Sequence, residues 1–494
     1  MKTRFTVIIF SLMICFSACE EKLLVDSSPI PAQVSELDRE QSKLDFAQIL
    51  AKALKDVKLR AMLKQESLKK FDKDYDVLYQ SVKDYKLSAT TSVKQRIALE
   101  GGSEEHLDYL TNSNPLLTIY IPEMVTFSAE QWDVEKQVPL VAVRNVRDMR
   151  AGKKMIAFDG NGNKFELSYR GIPNVPIIVV KDNERLSLLA PSSKNVRAGV
   201  SNVNGHTFLT NDLGRFNFWD DTFDGRIKDN TNSQARDGIA FYSTVDPTIR
   251  EAYENGAACQ RDNMYYQILP QLGRNTGVYQ PGYEECLTSL EFGGIQSYDY
   301  VVDDVSDGYL EFQVSVFLIG PGGSSITPIN KGISCRPQDL WDYHVVQDNG
   351  NNRVVVDGTK PYKFYRVPII GWNVRTYGDT WKFTIQELDP SNISYTTSTG
   401  VTSTFGTNFT DNVKDGPSFG NTTTNGYTVS YSYTVTSVSD QLFDGTLAYC
   451  STIIKSTETV NDIPFVGTAV IAHTRTVDTG NAYAMIGVMP FYTN

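Results

Sequence analysis

An α+β fold, mostly β, is what this sequence predicts, and three observations carry the prediction. Apolar residues recur at helical spacing chiefly between about residues 35 and 100. Beyond Gly101-Gly102 the pattern becomes short aliphatic or alternating runs cut by Gly, Pro, Asn and Asp, the punctuation of antiparallel sheets. Finally, the chain has 494 residues, 41% of them hydrophobic and 21% charged, which is a globular composition too long for one core. Two to four domains are therefore expected.

The elements follow in order. Lys2 and Arg4 precede an apolar run over 5–16 that is too short to span a bilayer, and Ser17-Ala18 lead into Cys19. Residues 1–18 thus resemble a bacterial lipoprotein signal. The resemblance implies cleavage before Cys19, acylation of its thiol and an ectodomain held to a membrane by lipid, for which two or more chains give stable anchoring. A cleaved secretory peptide with an incidental Cys19 is the alternative. Glu20-Glu21-Lys22 resemble the export signal that takes Bacteroidetes lipoproteins to the outer face of the outer membrane, against which stands a periplasm-facing position. Residues 19–34, with Pro29 and Pro31 among Ser and Ala, read as a tether.

A helical region is expected over 35–100. Ser35-Glu36-Leu37-Asp38 is a candidate capping box, and Leu37, Leu44, Ala47, Ala51 and Leu54 share one helical face. A second amphipathic run covers 59–82, so two or three packed helices are predicted. Residues 103–190 read as a small β-rich domain: strands over 116–121, 138–143 and 175–180, and a hairpin whose arms, 155–158 and 165–169, flank Asp159-Gly160-Asn161-Gly162-Asn163. That turn has the start of a calcium loop but not its distant glutamate, so the hairpin reading is preferred. A polar linker follows over 191–205. Residues 205–395 read as a β-sandwich-like domain with one helical exception over 246–255, and the alternation is clearest in 309–317 and 381–387. Residues 396–494, rich in Thr, Ser, Asn and Tyr, form a C-terminal β-rich domain.

Several segments have a familiar look. Phe46-Ala-Gln-Ile-Leu-Ala-Lys-Ala-Leu-Lys-Asp, Phe71-Asp-Lys-Asp-Tyr-Asp-Val-Leu-Tyr, Pro115-Leu-Leu-Thr-Ile-Tyr-Ile-Pro and Val138-Pro-Leu-Val-Ala-Val resemble the amino-terminal part of uncharacterised Bacteroidetes surface lipoproteins. Arg261-Asp-Asn-Met-Tyr-Tyr and Trp381-Lys-Phe-Thr-Ile-Gln-Glu-Leu-Asp are similar to segments of their carboxy-terminal part. The resemblance implies a helical head, a small β domain and one or two sandwiches. It brings no catalytic residue with it.

Chemistry is sparse in the sequence. The four histidines, at 106, 206, 344 and 473, are scattered, and His-Glu-x-x-His and a phosphate-binding glycine loop are absent. No catalytic residue is assigned. The net charge of −11 argues against a nucleic-acid partner, which needs a basic surface to displace counterions. Two acidic loops repeat one spacing, Asp220-Asp221-x-x-Asp224-Gly225 and Asp303-Asp304-x-x-Asp307-Gly308, and either offers hard oxygen ligands for Ca²⁺ or simply makes a β-turn. Sequence proximity favours a Cys259–Cys286 disulfide, although connectivity stays open and these thiols can equally remain free. Trp219, Trp341 and Trp372 lie beside loop residues and are candidates for stacking on a ligand, with burial as the plainer alternative. Glu387 shares a strand face with Trp381, Phe383 and Ile385, and the preferred reading is that the strand leaves the core there. The functional expectation is a surface-exposed, outer-membrane-anchored lipoprotein that binds a protein or glycan partner. A polysaccharide hydrolase using two carboxylates and a periplasm-facing structural lipoprotein are the alternatives.

Overall fold

The computed structural model describes residues 36–145, 148–149, 151–189, 199–203, 206–220, 223, 240–257, 259–268, 278–304, 308–348, 351–388, 399–410, 424–435, 441–463, 466–477 and 484–493. Cys19, the signal and the tether lie outside these residues, as do Asp221, Asp224 and Asp307.

The amino-terminal body is helices on a sheet. Its helices are α1 (Glu36–Ala53), α2 (Val57–Ser67), α3 (Tyr79–Val82), α4 (Val93–Gly101) and α5 (Glu104–Asn112). Their starts are chemically marked. Asp56 accepts the Lys58 N–H at 2.8 Å, Ser92 and Gln95 form a capping box, and Ser103 accepts the His106 N–H. The strands are β1 (Asp76–Leu78), β2 (Leu117–Tyr120), β3 (Leu140–Val143), β4 (Met155–Phe158), β5 (Lys164–Leu167) and β6 (Ile177–Asp182), in the order β1-β2-β6-β3-β4-β5. β3 and β6 run parallel and the other neighbours antiparallel. Every residue of β6 is buried, as an unbroken aliphatic run requires of a central strand.

Helices and sheet share one core. Phe46, Leu50 and Leu54 of α1, Leu63 of α2 and Ile97 of α4 pack with Ile119, Val141, Ile178 and Val180. The helical region and the β-rich region expected as separate units are thus a single domain, because neither face can be buried alone. The 59–82 run also divides. After α2 the backbone takes positive φ at Lys70 and Lys73, so Tyr75, Leu78 and Val82 enter a turn, a strand and a short helix instead of one long helix. Leu37, placed on the apolar face by its spacing, is 78% exposed. The Asp159 turn is the expected hairpin: its carboxylate accepts the N–H groups of Asn161 and Asn163.

A small antiparallel sheet follows, from β7 (Leu186–Leu189), β8 (Gly199–Val203), β9 (His206–Asn211) and β10 (Gly214–Phe218), in the order β7-β10-β9-β8. Part of the expected linker is therefore strand β8, paired with β9.

The carboxy-terminal body is a sandwich. One sheet has the order β17-β12-β25-β24, from β12 (Tyr283–Phe292), β17 (Tyr362–Ile370), β24 (Thr476–Val477) and β25 (Ala484–Tyr492). The other is β14-β13-β18-β21, from β13 (Leu310–Phe317), β14 (Ile329–Cys335), β18 (Thr380–Glu387) and β21 (Gln441–Ala448). Leu287, Phe312, Val314, Phe383, Ile385, Ile486 and Val488 fill the space between them. Because β21, β24 and β25 complete these sheets, the segment expected as a separate C-terminal domain contributes to the same core. Flanking it are β11 (Ala240–Phe241), β22 (Ile454–Ile463) and β23 (Gly467–Thr474), and the hairpins β15 (Trp341–Asp348) with β16 (Asn351–Thr359) and β19 (Thr399–Thr410) with β20 (Thr424–Val435). The β19–β20 hairpin sets Phe405, Phe409 and Tyr431 against Phe317 and Ile319. The helices here are α6 (Pro247–Glu254), capped by Asp246, α7 (Gln260–Tyr266), α8 (Gln296–Val301), α9 (Pro337–Leu340) and α10 (Val374–Tyr377).

β18 departs from simple alternation. Lys382, Thr384 and Gln386 are buried along with Trp381, Phe383 and Ile385, and Glu387 stays 5% exposed at the strand end. A central strand of a covered sheet has no wet face, so its polar residues are buried with the apolar ones.

Candidate functional site at the domain junction

Two charged sequences meet where the bodies touch. Asp72-Lys73-Asp74-Tyr75-Asp76 leads into β1, and Lys181-Asp182-Asn183-Glu184-Arg185 ends β6 and turns toward β7. β2 lies between β1 and β6, so the topology brings the two runs side by side. Asn183 donates to Asp72 at 2.7 Å, and the Lys181 ammonium reaches Glu184 at 2.7 Å and Asp76 at 3.8 Å, lying 4.6 Å from the Tyr120 ring centroid. Arg144 donates to Glu184 at 2.5 Å and stands 3.9 Å from Asp303. Arg185 donates to the Asp72 carbonyl oxygen and the Glu311 carboxylate, with Asp74 at 3.7 Å.

All these groups are buried, and each buried charge costs several kcal/mol before its partners are counted. Carboxylates outnumber the cations Lys181, Arg144 and Arg185 among the described members. The imbalance shows in the acids: burial raises Asp72, raises Asp76 well above the carboxylate range, and pushes Glu311 up to about 8 against the opposing pull of Arg185. Burial thus makes these carboxyls harder to ionise than exposed ones.

Above the network the junction opens into a cleft of about 240 Å³. Asp74, Asp303 and Asp304 form its buried lining, Tyr298, Tyr309 and Tyr343 its aromatic lining, and Glu123, Arg336 and Gln338 its polar rim. Gly308 sets the shape. A Cβ there would collide with the Asp74 carboxylate and the Tyr120 hydroxyl, so glycine lets the sandwich backbone approach and the Tyr309 N–H donate to Asp74 at 3.1 Å. Two guanidiniums, those of Arg185 and Arg336, lie 5.2 and 4.9 Å from the Tyr309 ring centroid. Tyr298 and Tyr343 rings stand 5.7 Å apart.

The carboxylates are already occupied. Asp304 accepts the Gly171 N–H and the Tyr298 hydroxyl, both at 2.9 Å, and burial raises its pKa. Asp74 accepts from the Tyr75 and Tyr309 amides. By contrast, the Arg336–Glu123 pair at the rim is 3.6 Å apart and partly solvated, an interaction weak enough to be exchanged for a ligand. The Tyr343 hydroxyl donates to Gln338 at 3.4 Å.

The sequence candidates are dispersed. Asp303 and Asp304 lie at the cleft, but Asp220 is elsewhere, accepting the Gly332 N–H at 2.9 Å and so tying the end of β10 to β14. Among the described residues these carboxylates gather into no three-donor cluster; the trio that does is Cys259, Asp262 and Cys450. The disulfide joins Cys259 to Cys450, which corrects the Cys259–Cys286 pairing. Cys286 sits inside β12 between β17 and β25, whereas Cys259 precedes α7 beside the turn after β21, so sequence proximity misleads. Trp341 and Trp372 are fully buried and offer no ring to a ligand: Trp341 donates to Ser297, and Trp372 stacks on Trp381 with centroids 4.0 Å apart. Trp219 is half-buried, donating to the Glu184 carbonyl and tilted against Phe223. Sequence reasoning missed Asp74, Tyr309, Arg336 and Tyr343. The one signal for them was the Asp-x-Asp-x-Asp run ahead of an apolar strand.

No family model, curated protein or solved structure matches this chain.

Proposed function

We propose that this chain is a lipid-anchored surface protein of the outer membrane that binds a glycan in the cleft between its two bodies. The observation that carries the reading is the division of labour in the cleft. Its buried carboxylates are engaged by protein donors, while its accessible lining is tyrosine, Arg336, Gln338 and Glu123. Aromatic rings beside planar hydrogen-bonding groups suit a pyranose, whose C–H face stacks while its hydroxyls are bridged. The acidic lining disfavours anionic sugars, so neutral oligosaccharides are the expected class.

Calorimetric titration of a panel of neutral and acidic oligosaccharides tests this. Binding of a neutral member, weakened about tenfold by Tyr343→Ala and by Arg336→Ala, supports the assignment. Binding that neither substitution weakens removes the cleft from it.

A hydrolase reading draws on Asp304 alone, a cleft carboxyl whose pKa is raised by burial. Release of reducing ends from the bound oligosaccharide, abolished by Asp304→Asn, is the result that would turn the binding protein into an enzyme.

A further inference from the structure

The Cys259–Cys450 bond has a neighbour that a purely structural disulfide does not need. Asp262, in the first turn of α7, places a carboxylate oxygen within 4.8 Å of both sulfurs, and its side chain is buried, with 1% of the residue exposed. The two cysteines differ in exposure as residues, Cys259 being buried and Cys450 half-buried. The other ionisable groups facing Asp262 are Arg261 on its own helix, the hydroxyl of Tyr449 on the turn that carries Cys450, and Tyr266. The Arg261 guanidinium lies 4.0 Å from the Trp372 ring centroid and 3.6 Å from Glu285, and donates to the Ala448 carbonyl oxygen.

We propose that Cys259–Cys450 is an exchangeable disulfide and that Asp262 is the proton donor for its opening by an external dithiol. The thiolate of the dithiol attacks Sγ of Cys450, the more exposed cysteine, and the Cys259–Cys450 bond breaks with its electron pair passing to Cys259 Sγ. The Asp262 carboxyl transfers its proton to that sulfur and is left as a carboxylate. The second thiol of the reductant, as thiolate, displaces Cys450 from the mixed disulfide. The reductant leaves oxidised, two electrons have reached the protein, and a solvent proton completes the Cys450 thiol. Burial, resisted by Arg261 and Tyr449, holds the Asp262 carboxyl up at about 7, so the donor is loaded in mildly acidic surroundings and empty in alkaline ones. Opening the bond releases α7 from the turn at 449–451 and loosens the packing of Tyr449 on Trp372 and Tyr266.

The test is the rate of reduction of the folded, full-length protein by dithiothreitol between pH 6 and 8.5, followed by maleimide labelling and divided by the reductant's thiolate concentration. For the wild type this normalised rate should fall as pH rises through about 7. Asp262→Asn should flatten the profile and slow the pH 6 reaction by about a hundredfold or more, the usual range for a positioned general acid. A pH-independent wild-type rate overturns the proposal, and that measurement stands even if Asp262→Asn does not fold. So does a bond that opens only in urea, or an Asp262→Asn protein of native circular dichroism that keeps the wild-type profile.

Discussion

Arg185 and Glu311 join the two bodies of this protein through a buried ion pair: the guanidinium, at the turn after β6, donates to a carboxylate on β13, and the two side chains are each 2% exposed. The same guanidinium holds the Asp72 carbonyl and neighbours Asp74, the residue that receives the Tyr309 amide. One side chain therefore ties the first body to the sandwich and reaches the carboxylate that holds Tyr309 at the cleft.

Removing it should be costly. Arg185→Ala leaves Glu311, Asp72 and Asp74 buried with their cation lost, and should reduce unfolding free energy by about 3–5 kcal/mol. Replacing both partners with apolar residues, as in Arg185→Met with Glu311→Leu, should be milder than the single change. Urea titration of the two variants measures the difference.

The pH dependence has a definite sign. Glu311 binds its proton more tightly folded, at about 8, than unfolded, at the ordinary 4.5. The folded state thus gains from that proton below about pH 4.5, and the gain is lost as pH rises through about 8. Thermal midpoints should fall between pH 6 and 9, and Glu311→Gln, which keeps the shape without the titration, should flatten that slope.

The disulfide closes a long loop, its cysteines 191 positions apart in the chain. Cys450→Ser should cost about 3–5 kcal/mol by enlarging the unfolded ensemble, and a non-reducing peptide map should show Cys259 and Cys450 in one linked fragment. Cys286, whose thiol burial pushes up to about 12, should resist alkylation until the protein unfolds.

Trp372→Ala should destabilise by about 3–5 kcal/mol, since it empties the stack on Trp381 and the seat of Arg261. Fluorescence-monitored denaturation reads the loss. Oligosaccharide affinity of the folded fraction should be unchanged.

Much of the architecture was legible because it is local. The Asp159 hairpin, the Asp246-capped helix and the alternation of 310–317 are each specified by residues within one window. What the sequence hid is long-range. The 59–82 run keeps helical spacing up to Val82, yet the turn at Lys70 and Lys73 delivers Leu78 to the sheet, an outcome decided by the partner strand β2. Trp341 and Trp372 sit next to loops in sequence and at the centre of the sandwich in space. The cleft draws residues from both bodies, from Asp74 to Tyr343, and no window contains both. Cys259 and Cys450 were likewise beyond any argument from spacing.

Hydrogen exchange of the full chain with and without the tightest-binding neutral oligosaccharide tests the central claim most directly. Protection should concentrate in 298–304, 308–309 and 336–345 and in the facing 120–125 segment, with little change at the far strands β22 and β23. Protection confined to the sandwich ends away from the junction, or no binding by any member of the panel, would contradict it.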